Sequence, residues 1–202
     1  MNNKKLVYTI LACMVMVFAG MIGSYMIGRG NAKTIAIDLS VEEPTFDERE
    51  PRYKFMPKEF SHYICDLCDG LGDDSDVDVA ILMHENPKFD PNAIHVNDNG
   101  TIDIDLWQQN DRYLWTTFVE RYWKFDNVEF NPFNWKHSTY IAVHHIHYLK
   151  QKLKAEDDVI MAYNCGENAV MSGNIPSSTL NNYLPEVKNN LYLLRGEKLL
   201  IN

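Results

Sequence analysis

The sequence predicts a mainly α-helical domain with a small extended or β insert, preceded by an N-terminal transmembrane helix. Three observations lead to this fold class. Residues 6–27 contain no charge. After Pro57, apolar residues recur at the three- and four-residue spacing of helices, and over residues 101–105 polar and apolar residues alternate as in a strand. A chain of 202 residues, 46% of them apolar, is long enough to bury a core.

The uncharged run at residues 6–27 has the length of a membrane-spanning helix, because about 20 apolar residues cross about 30 Å of hydrocarbon. Lys4 and Lys5 precede the run and Arg29 follows it. This charge bias places the N-terminus in the cytoplasm and residues 31–202 outside. The alternative is a cleaved secretory signal, whose apolar region is shorter, about 7 to 15 residues. We therefore assign residues 1–30 to a membrane anchor.

Residues 31–56 are predicted to form an acidic spacer, because proline and clustered acids interrupt any regular period. The domain proper is then expected at residues 57–202. Residues 31–202 together carry sixteen basic and twenty-eight acidic residues, a net charge of −12. Nucleic-acid binding requires clustered Lys and Arg at the phosphates, so we expect no nucleic-acid partner.

Two short helices are predicted at the start of the domain. Acids and a serine at residues 73–76 supply N-cap chemistry for the second helix, and Pro87 ends it after Glu85. Glu85 thus lies at a helix C-terminus, where the helix dipole disfavours a carboxylate. Apolar surroundings would raise its pKa further, as a general acid requires. The two apolar stripes are Phe60, Ile64, Leu67 and Leu71, and then Val77, Ala80, Ile81 and His84.

The rest of the domain is predicted to be helical after one extended insert. A turn at residues 97–100 leads into the alternating segment, and an aromatic helix follows at residues 112–124. A long helix is predicted at residues 134–153. A further helix starts at residue 155 and is interrupted at Gly166. The last helix, residues 177–195, starts with a Ser/Thr cap and ends at Gly196.

Three segments in a fixed order carry the chemistry. They read HENPKFDPNA at residues 84–93, GTIDIDLWQQN at residues 100–110 and MAYNCGENAV at residues 161–170. Together they resemble the lysozyme-like lytic transglycosylases of the soluble lytic transglycosylase (SLT) family, whose patterns are E-S-x-F-[DN]-P-x-A, G-[LIF]-[MF]-Q-[IV]-N and A-Y-N-x-G. The stretch at residues 130–149 is similar to the family's N-P-x-x-N-I segment and long helix. The resemblance covers residues 57–194.

The resemblance implies a lysozyme-like, goose-type α-rich fold and cleavage of the β-1,4 bond between MurNAc and GlcNAc in peptidoglycan. Matched position by position, it implies Glu85 as the catalytic acid and base. It implies substrate-binding roles for Gln108, Asn110, Tyr163 and Asn164. In the family, the sugar's own 6-hydroxyl attacks C1 and forms a 1,6-anhydro product, so no protein nucleophile, metal or cofactor is expected.

The expected partners follow from this resemblance and from the anchor. They are the glycan strands of peptidoglycan and the membrane, with the catalytic domain on the periplasmic or cell-wall side. The family includes small enzymes attached to secretion systems and phage particles, so components of such assemblies are further candidate partners. Three aromatic residues are candidates for stacking on sugar rings, namely Trp107, Tyr113 and Trp115.

The sequence departs from the family patterns at three positions and leaves alternatives open. Asn86 replaces the serine after the glutamate, Asp105 replaces a glycine, and Cys165 fills the variable position of A-Y-N-x-G. If Asp105 helps to place a water, and Asp98 or Asp103 acts as a second carboxylate about 6.5 to 9.5 Å from the acid, the enzyme is an inverting lysozyme. If the departures abolish turnover, the domain is a peptidoglycan-binding or assembly scaffold.

Other polar clusters in the domain favour structural roles. The aspartates at residues 73–78 lack the spacing of a calcium loop. The histidines at residues 144–147 lack a metal-ligand pattern such as H-E-x-x-H. Cys65 and Cys68 have the spacing of a redox motif but no accompanying βαβ unit, which leaves a local disulfide and two buried thiols as equal alternatives.

Overall fold

Helices predominate in the computed structural model, which describes residues 49–196, and a small antiparallel sheet interrupts them. A mainly helical fold with a short β insert therefore agrees with the sequence-based prediction. The predicted anchor at residues 1–30 lies outside the described residues, as does most of the predicted spacer. Within residues 49–196, no helix is long and apolar enough to cross a membrane.

Two helices open the described unit where the apolar stripes predict them. Helix α1 spans Lys58–Leu71 and ends at Gly72, whose φ of 76° is in the left-handed region that glycine tolerates. Helix α2 spans Asp76–Glu85. Its N-cap residue, Ser75, makes no side-chain capping bond, while Asp74 Oδ1 accepts a hydrogen bond from the Asp76 amide at 3.3 Å.

The extended insert forms a three-stranded antiparallel sheet in the order β1-β2-β3. Asp103, in the middle strand, lies opposite His95 on one side and Asn110 on the other. Gly100 makes the β1–β2 turn with a φ of 81°. The strands are β1 Ile94–Val96, β2 Ile102–Ile104 and β3 Gln109–Asn110.

The later helices follow the predicted order, and two of them contain π-helical segments. The bounds are α3, with α-helical Asp111–Tyr113, π-helical Leu114–Val119 and α-helical Glu120–Tyr122; α4, Trp135–Lys152; α5, Glu156–Cys165; α6, Glu167–Ser172; and α7, with π-helical Thr179–Tyr183 and α-helical Leu184–Arg195. The predicted interruption at Gly166 is confirmed between α5 and α6, because this residue has a φ of 84°.

The core forms where α2 packs against α7 and where α4 packs against α1 and α5. Every residue of α2 from Asp76 to Leu82 is buried, which explains why its sequence lacks a polar face. The largest fully buried side chains include Trp107, Ile64, Ile81, Leu82, Leu106, Leu114, Ile141, Ile146, Leu149, Ile160 and Leu191.

Residues 49–56, which the sequence assigns to the end of the spacer, pack against the domain. Tyr53 is 4% exposed, and its hydroxyl donates to Asp76 Oδ1 at 2.7 Å. Arg52 binds the same carboxyl at 2.9 Å, and Arg49 pairs with Asp66 of α1 through both of its terminal nitrogens. Arg49 and Arg52 thus find partners on or next to the acidic first helices, so these residues pack against the domain that the sequence starts at residue 57.

Candidate active site

Glu85 is the last residue of α2, so its side chain lies at the helix end that faces the sheet insert. The side chain is half-buried. The pKa of Glu85 is raised from its ordinary value of 4.5 to about 7, mainly by burial and to a smaller extent by the charge of Asp103, while the hydrogen bond from Tyr183 lowers it. A carboxyl with this pKa holds its proton over much of the neutral range, which is the property expected of a general acid.

Tyr183 contacts Glu85 directly and was not among the residues identified from the sequence. Its hydroxyl donates to Glu85 Oε1 at 2.8 Å, although the two residues are 98 positions apart. Tyr183 ends the π-helical part of α7 and is 5% exposed. No local sequence pattern distinguishes Tyr183 from the other tyrosines of the chain. Its position beside Glu85 results only from the packing of α7 on α2.

Tyr163 lies on α5, and its side chain reaches the loop between β2 and β3. Its hydroxyl donates to the Trp107 carbonyl at 3.0 Å. Burial raises the pKa of Tyr163 well above its ordinary value, and the next largest cause is the nearby charge of Glu85. Tyr163 therefore stays a neutral donor beside the acid.

The loop between β2 and β3 supplies that carbonyl, and Asp105 stabilises the loop from within. Asp105 has a φ of 71°, so the backbone adopts the left-handed conformation for which a glycine is usual. Its buried carboxyl accepts from the Trp107 amide at 2.6 Å and from Gln109 Nε2 at 3.2 Å. Burial raises the pKa of Asp105 well above its usual range. Because this carboxyl is 0% exposed, it is not available to place a water in an open groove.

Asn86, directly after Glu85, stabilises the same loop from the other side. Its Nδ2 donates to the Asp90 carbonyl at 2.7 Å and to the Leu106 carbonyl at 3.2 Å, while its Oδ1 accepts from the Asp90 amide. Asn86 thus links the end of α2 to the β2–β3 loop. Its amide is committed to backbone partners and does not bond to Glu85.

Gln108 lies in the same loop with a φ of 51°. Its Nε2 donates to the Asp105 carbonyl at 2.9 Å and lies 3.5 Å from the Ala93 carbonyl. Its side chain is half-buried, and its Oε1 accepts no hydrogen bond within residues 49–196. That oxygen is the part of Gln108 that remains able to accept a bond from a sugar hydroxyl.

Asn110 holds the second carboxylate of the site. Its Nδ2 donates to Asp103 Oδ1 at 2.7 Å, and Asn97 Nδ2 donates to the other oxygen at 2.9 Å. Asn110 also caps α3, since its Oδ1 accepts from the Arg112 amide. Both hydrogen-bonding ends of its amide are therefore engaged. Asn110 therefore acts on the site by holding the Asp103 carboxylate, whose negative charge raises the pKa of Glu85.

Asn164 is exposed, and its Oδ1 accepts from the Thr179 hydroxyl at 2.7 Å. Thr179 begins the π-helical segment that ends at Tyr183. The side-chain cap predicted for this helix does not form. Asn164 thus helps to place the segment that carries Tyr183.

The three aromatic candidates for sugar stacking differ in exposure. Trp107 is 0% exposed, and its Nε1 donates to Thr139 at 2.9 Å, so the prediction of a stacking role for it is wrong. A large ring next to an exposed turn was buried by the packing of α4 against this loop. Tyr113 and Trp115 are 52% and 47% exposed and keep a free ring surface.

The remaining clusters are structural in residues 49–196. No group of three or more His, Cys, Asp or Glu in this part of the chain could hold a metal ion. Cys65 and Cys68 are free thiols, so the local disulfide that the sequence left open does not form between them. His147 and Lys150 of α4 pair with Asp73 and Asp78 at the start of α2.

The site combines Glu85, whose pKa is raised, with Tyr163 and Tyr183, which remain protonated. It also contains the Asp103 carboxylate, which two amides hold and whose charge raises the pKa of Glu85. Such a site can donate a proton to a leaving oxygen and then take one back. No protein-family model matches this chain, and no curated protein is similar to it at a significant level.

Proposed function

We propose that this protein is a membrane-anchored peptidoglycan lytic transglycosylase with a lysozyme-like fold. The observation that carries the proposal is Glu85, a helix-end carboxyl whose pKa burial raises to about 7. The ordered motifs at residues 84–93, 100–110 and 161–170 support it, because their residues converge on that carboxyl or on the loop beside it.

In the proposed reaction, the Glu85 carboxyl gives its proton to the glycosidic oxygen between MurNAc and GlcNAc. The C1–O bond breaks and GlcNAc leaves with a free 4-hydroxyl. The ionised Glu85 then removes the proton from the MurNAc 6-hydroxyl, whose oxygen attacks C1 and closes the 1,6-anhydro ring. Tyr183 stabilises the ionised state through its hydrogen bond to Oε1. We infer that Tyr163 and Gln108 orient the sugar, because both contact the loop beside Glu85.

The departures from the family patterns have structural substitutes in this chain. Asp105 adopts the left-handed backbone of the glycine it replaces and adds two hydrogen bonds to the loop. Residues 85–91 hold one residue more than the pattern E-S-x-F-[DN]-P. Phe89, with a φ of 54°, turns this longer segment, and Asn86 closes it through Asp90. These features favour an active enzyme over a scaffold.

Asp103 supports a second candidate function, hydrolysis of the same bond. Its carboxylate is held by two amides, and its charge raises the pKa of Glu85. An inverting hydrolase uses such a second carboxylate to deprotonate a water that attacks C1. Asp103 is one of the two aspartates that the sequence offers for this role, and the Asp105 carboxyl, which is buried inside its loop, does not place the water.

Digestion of purified sacculi tests both functions. The full-length protein in detergent should release muropeptides ending in 1,6-anhydro-MurNAc, and Glu85→Gln should lower release at least 1,000-fold. Reducing ends labelled from ¹⁸O-water would identify a hydrolase instead. In that case Asp103→Asn should lose activity while Asp98→Asn, an exposed aspartate of the same insert, should keep it. No digestion by the wild type would support the scaffold.

A further inference from the structure

Asp105 holds the residue whose carbonyl contacts Tyr163. The Asp105 carboxyl accepts a hydrogen bond from the Trp107 amide at 2.6 Å, and the Trp107 carbonyl accepts one from the Tyr163 hydroxyl at 3.0 Å. The Trp107 ring is also fixed, because its Nε1 donates to Thr139 at 2.9 Å. The position of the Tyr163 hydroxyl therefore depends on a carbonyl that Asp105 helps to orient.

Asp105 also holds Gln108, through its backbone. The Asp105 carbonyl accepts from Gln108 Nε2 at 2.9 Å and from the Gln108 amide at 3.5 Å. Both residues have left-handed backbone, with φ values of 71° and 51°. A glycine adopts this conformation freely but has no side chain to keep it there. Asp105 has one, and its two oxygens accept from the Trp107 amide and from Gln109 Nε2.

These bonds determine which atoms Gln108 and Tyr163 can offer to a sugar. The single hydroxyl hydrogen of Tyr163 is donated to Trp107. Gln108 Nε2 donates to the Asp105 carbonyl and lies 3.5 Å from the Ala93 carbonyl. Each side chain is left with oxygen lone pairs, which accept hydrogen bonds but do not donate them. The hydroxyl and acetamido N–H groups of a sugar are donors that fit such oxygens.

We propose that Asp105 is a positioning residue for substrate binding, which holds Gln108 and Tyr163 so that both present acceptor oxygens to the sugar at Glu85. It acts on Tyr163 through Trp107 and on Gln108 through its own carbonyl. It does not touch the substrate, because it is 0% exposed. The inference rests on the proposed function. The family pattern has a glycine at this position, which cannot supply the side-chain bonds.

Steady-state kinetics of the full-length protein in detergent, on soluble peptide-free glycan strands, measure this role. Asp105→Gly keeps the left-handed backbone accessible and removes both side-chain bonds. Its KM should rise about tenfold while kcat changes less than about threefold, because ground-state and transition-state binding are lost together. Asp105→Asn keeps an oxygen acceptor for the Trp107 amide and tolerates the backbone, so its KM should stay within about threefold of wild type. A purely structural role would lower the folded fraction, which reduces the apparent kcat and leaves KM unchanged.

A double-mutant cycle tests whether Asp105 acts through the two residues that it holds. In the Gln108→Ala, Tyr163→Phe double variant, adding Asp105→Gly should raise KM less than about twofold, because the oxygens that Asp105 positions are already gone. Asp111→Ala is the matched control. The Asp111 carboxyl accepts from the Ile102 amide at 3.0 Å, so it stabilises the same insert without a hydrogen bond to residues 105–108. Its KM should equal that of wild type.

If Asp105→Gly does not fold, Gln109→Leu takes its place. This variant removes the hydrogen bond to the second Asp105 oxygen and leaves the backbone of residue 105 unchanged. Its KM should rise about threefold, because one of the two bonds that hold the carboxyl is lost. An unchanged KM in this variant would contradict the inference.

The outcomes separate this inference from the proposed function. A wild-type KM in folded Asp105→Gly, or an undiminished effect of Asp105→Gly in the double variant, overturns the inference and leaves the enzyme proposal standing. If the wild type binds the strands without cleaving them, the proposed reaction fails. The inference then predicts the same loss, about tenfold, in the affinity of Asp105→Gly measured by calorimetry. If the folded wild type does not bind the strands, both proposals fail.

Discussion

At the scale of single residues, the site depends on how strongly its surroundings hold a proton on Glu85. Burial and the charge of Asp103 favour the neutral carboxyl, whereas the hydrogen bond from Tyr183 favours the ionised one. A general acid that must later act as a base needs both influences, because it spends part of the reaction in each state. Two predictions follow from this balance.

Replacing Tyr183 by Phe removes the hydrogen bond to Glu85 Oε1, which stabilises the ionised carboxylate. We expect the pKa of Glu85 to rise by about one unit, since hydrogen bonds to charged groups contribute about 1.5–3 kcal/mol. The alkaline limb of the pH–rate profile should move upward with it, and the maximal rate should fall about tenfold. Carboxyl ¹³C titration and sacculus digestion measure the two effects. Tyr192→Phe, which alters a half-buried tyrosine elsewhere in α7, should change neither.

Glu85 should also make stability depend on pH. A carboxyl with a pKa of about 7 when folded and 4.5 ordinarily binds its proton more tightly in the folded state. The free energy of unfolding therefore loses this contribution as pH rises from about 4.5 to about 7. Glu85→Gln has no proton to lose, so its stability relative to wild type should increase by about 1–3 kcal/mol between pH 4 and pH 8. Urea denaturation measures both proteins. If the stability difference between Glu85→Gln and wild type is the same at pH 4 and pH 8, the assigned pKa is wrong.

At the scale of elements, local signals predicted the helices well and the contacts between them poorly. Pro57 and Pro87, together with Gly166 and Gly196, bound helices where proline and glycine are expected to. Caps were less predictable. The Ser75 hydroxyl, expected to cap α2, shares a hydrogen bond with the Tyr53 hydroxyl at 2.8 Å instead, because a buried hydroxyl takes whichever partner packing brings nearest.

Asn110 and Asn134 provide a matched pair for separating a helix cap from a role in the site. Each caps a helix by accepting a hydrogen bond from the amide two residues on, Asn110 for α3 and Asn134 for α4. Either change to Ala should cost about 1 kcal/mol of stability. Only Asn110→Ala also releases Asp103, so only this variant should shift the pH–rate profile. Urea denaturation and pH-dependent digestion distinguish the two effects, and a profile shift in Asn134→Ala would refute the distinction.

At the scale of the whole molecule, the described unit is assembled around α2. Its buried face packs on α7, its start is held by Lys150 of α4 through Asp78 at 2.7 Å, and residues 49–56 cover its N-terminal end. The carboxyl that would catalyse the reaction therefore sits at the end of the most thoroughly buried helix. Such support keeps the position of a catalytic group well defined.

Tyr53 tests whether residues 49–56 belong to the folded unit. Tyr53→Ala removes a ring that is 4% exposed and the hydroxyl that bonds to Asp76, so unfolding should cost about 3–4 kcal/mol less. Phe55→Ala, two residues later and 49% exposed, should cost less than about 1 kcal/mol. Urea denaturation measures both. Similar losses of unfolding free energy for the two variants would show that residues 49–56 are not part of the folded unit.

The sequence by itself determined what depends on neighbouring residues. It placed the helices, the interruption at Gly166 and Glu85 at a helix end, because capping, chain breaking and apolar periodicity act over a few positions. Tertiary structure alone decided that Tyr183 meets Glu85, that Trp107 is buried and that Asp103 is clamped by two amides. These contacts join residues far apart in the chain, or depend on how loops and strands pack, so their energies arise only once the helices have assembled.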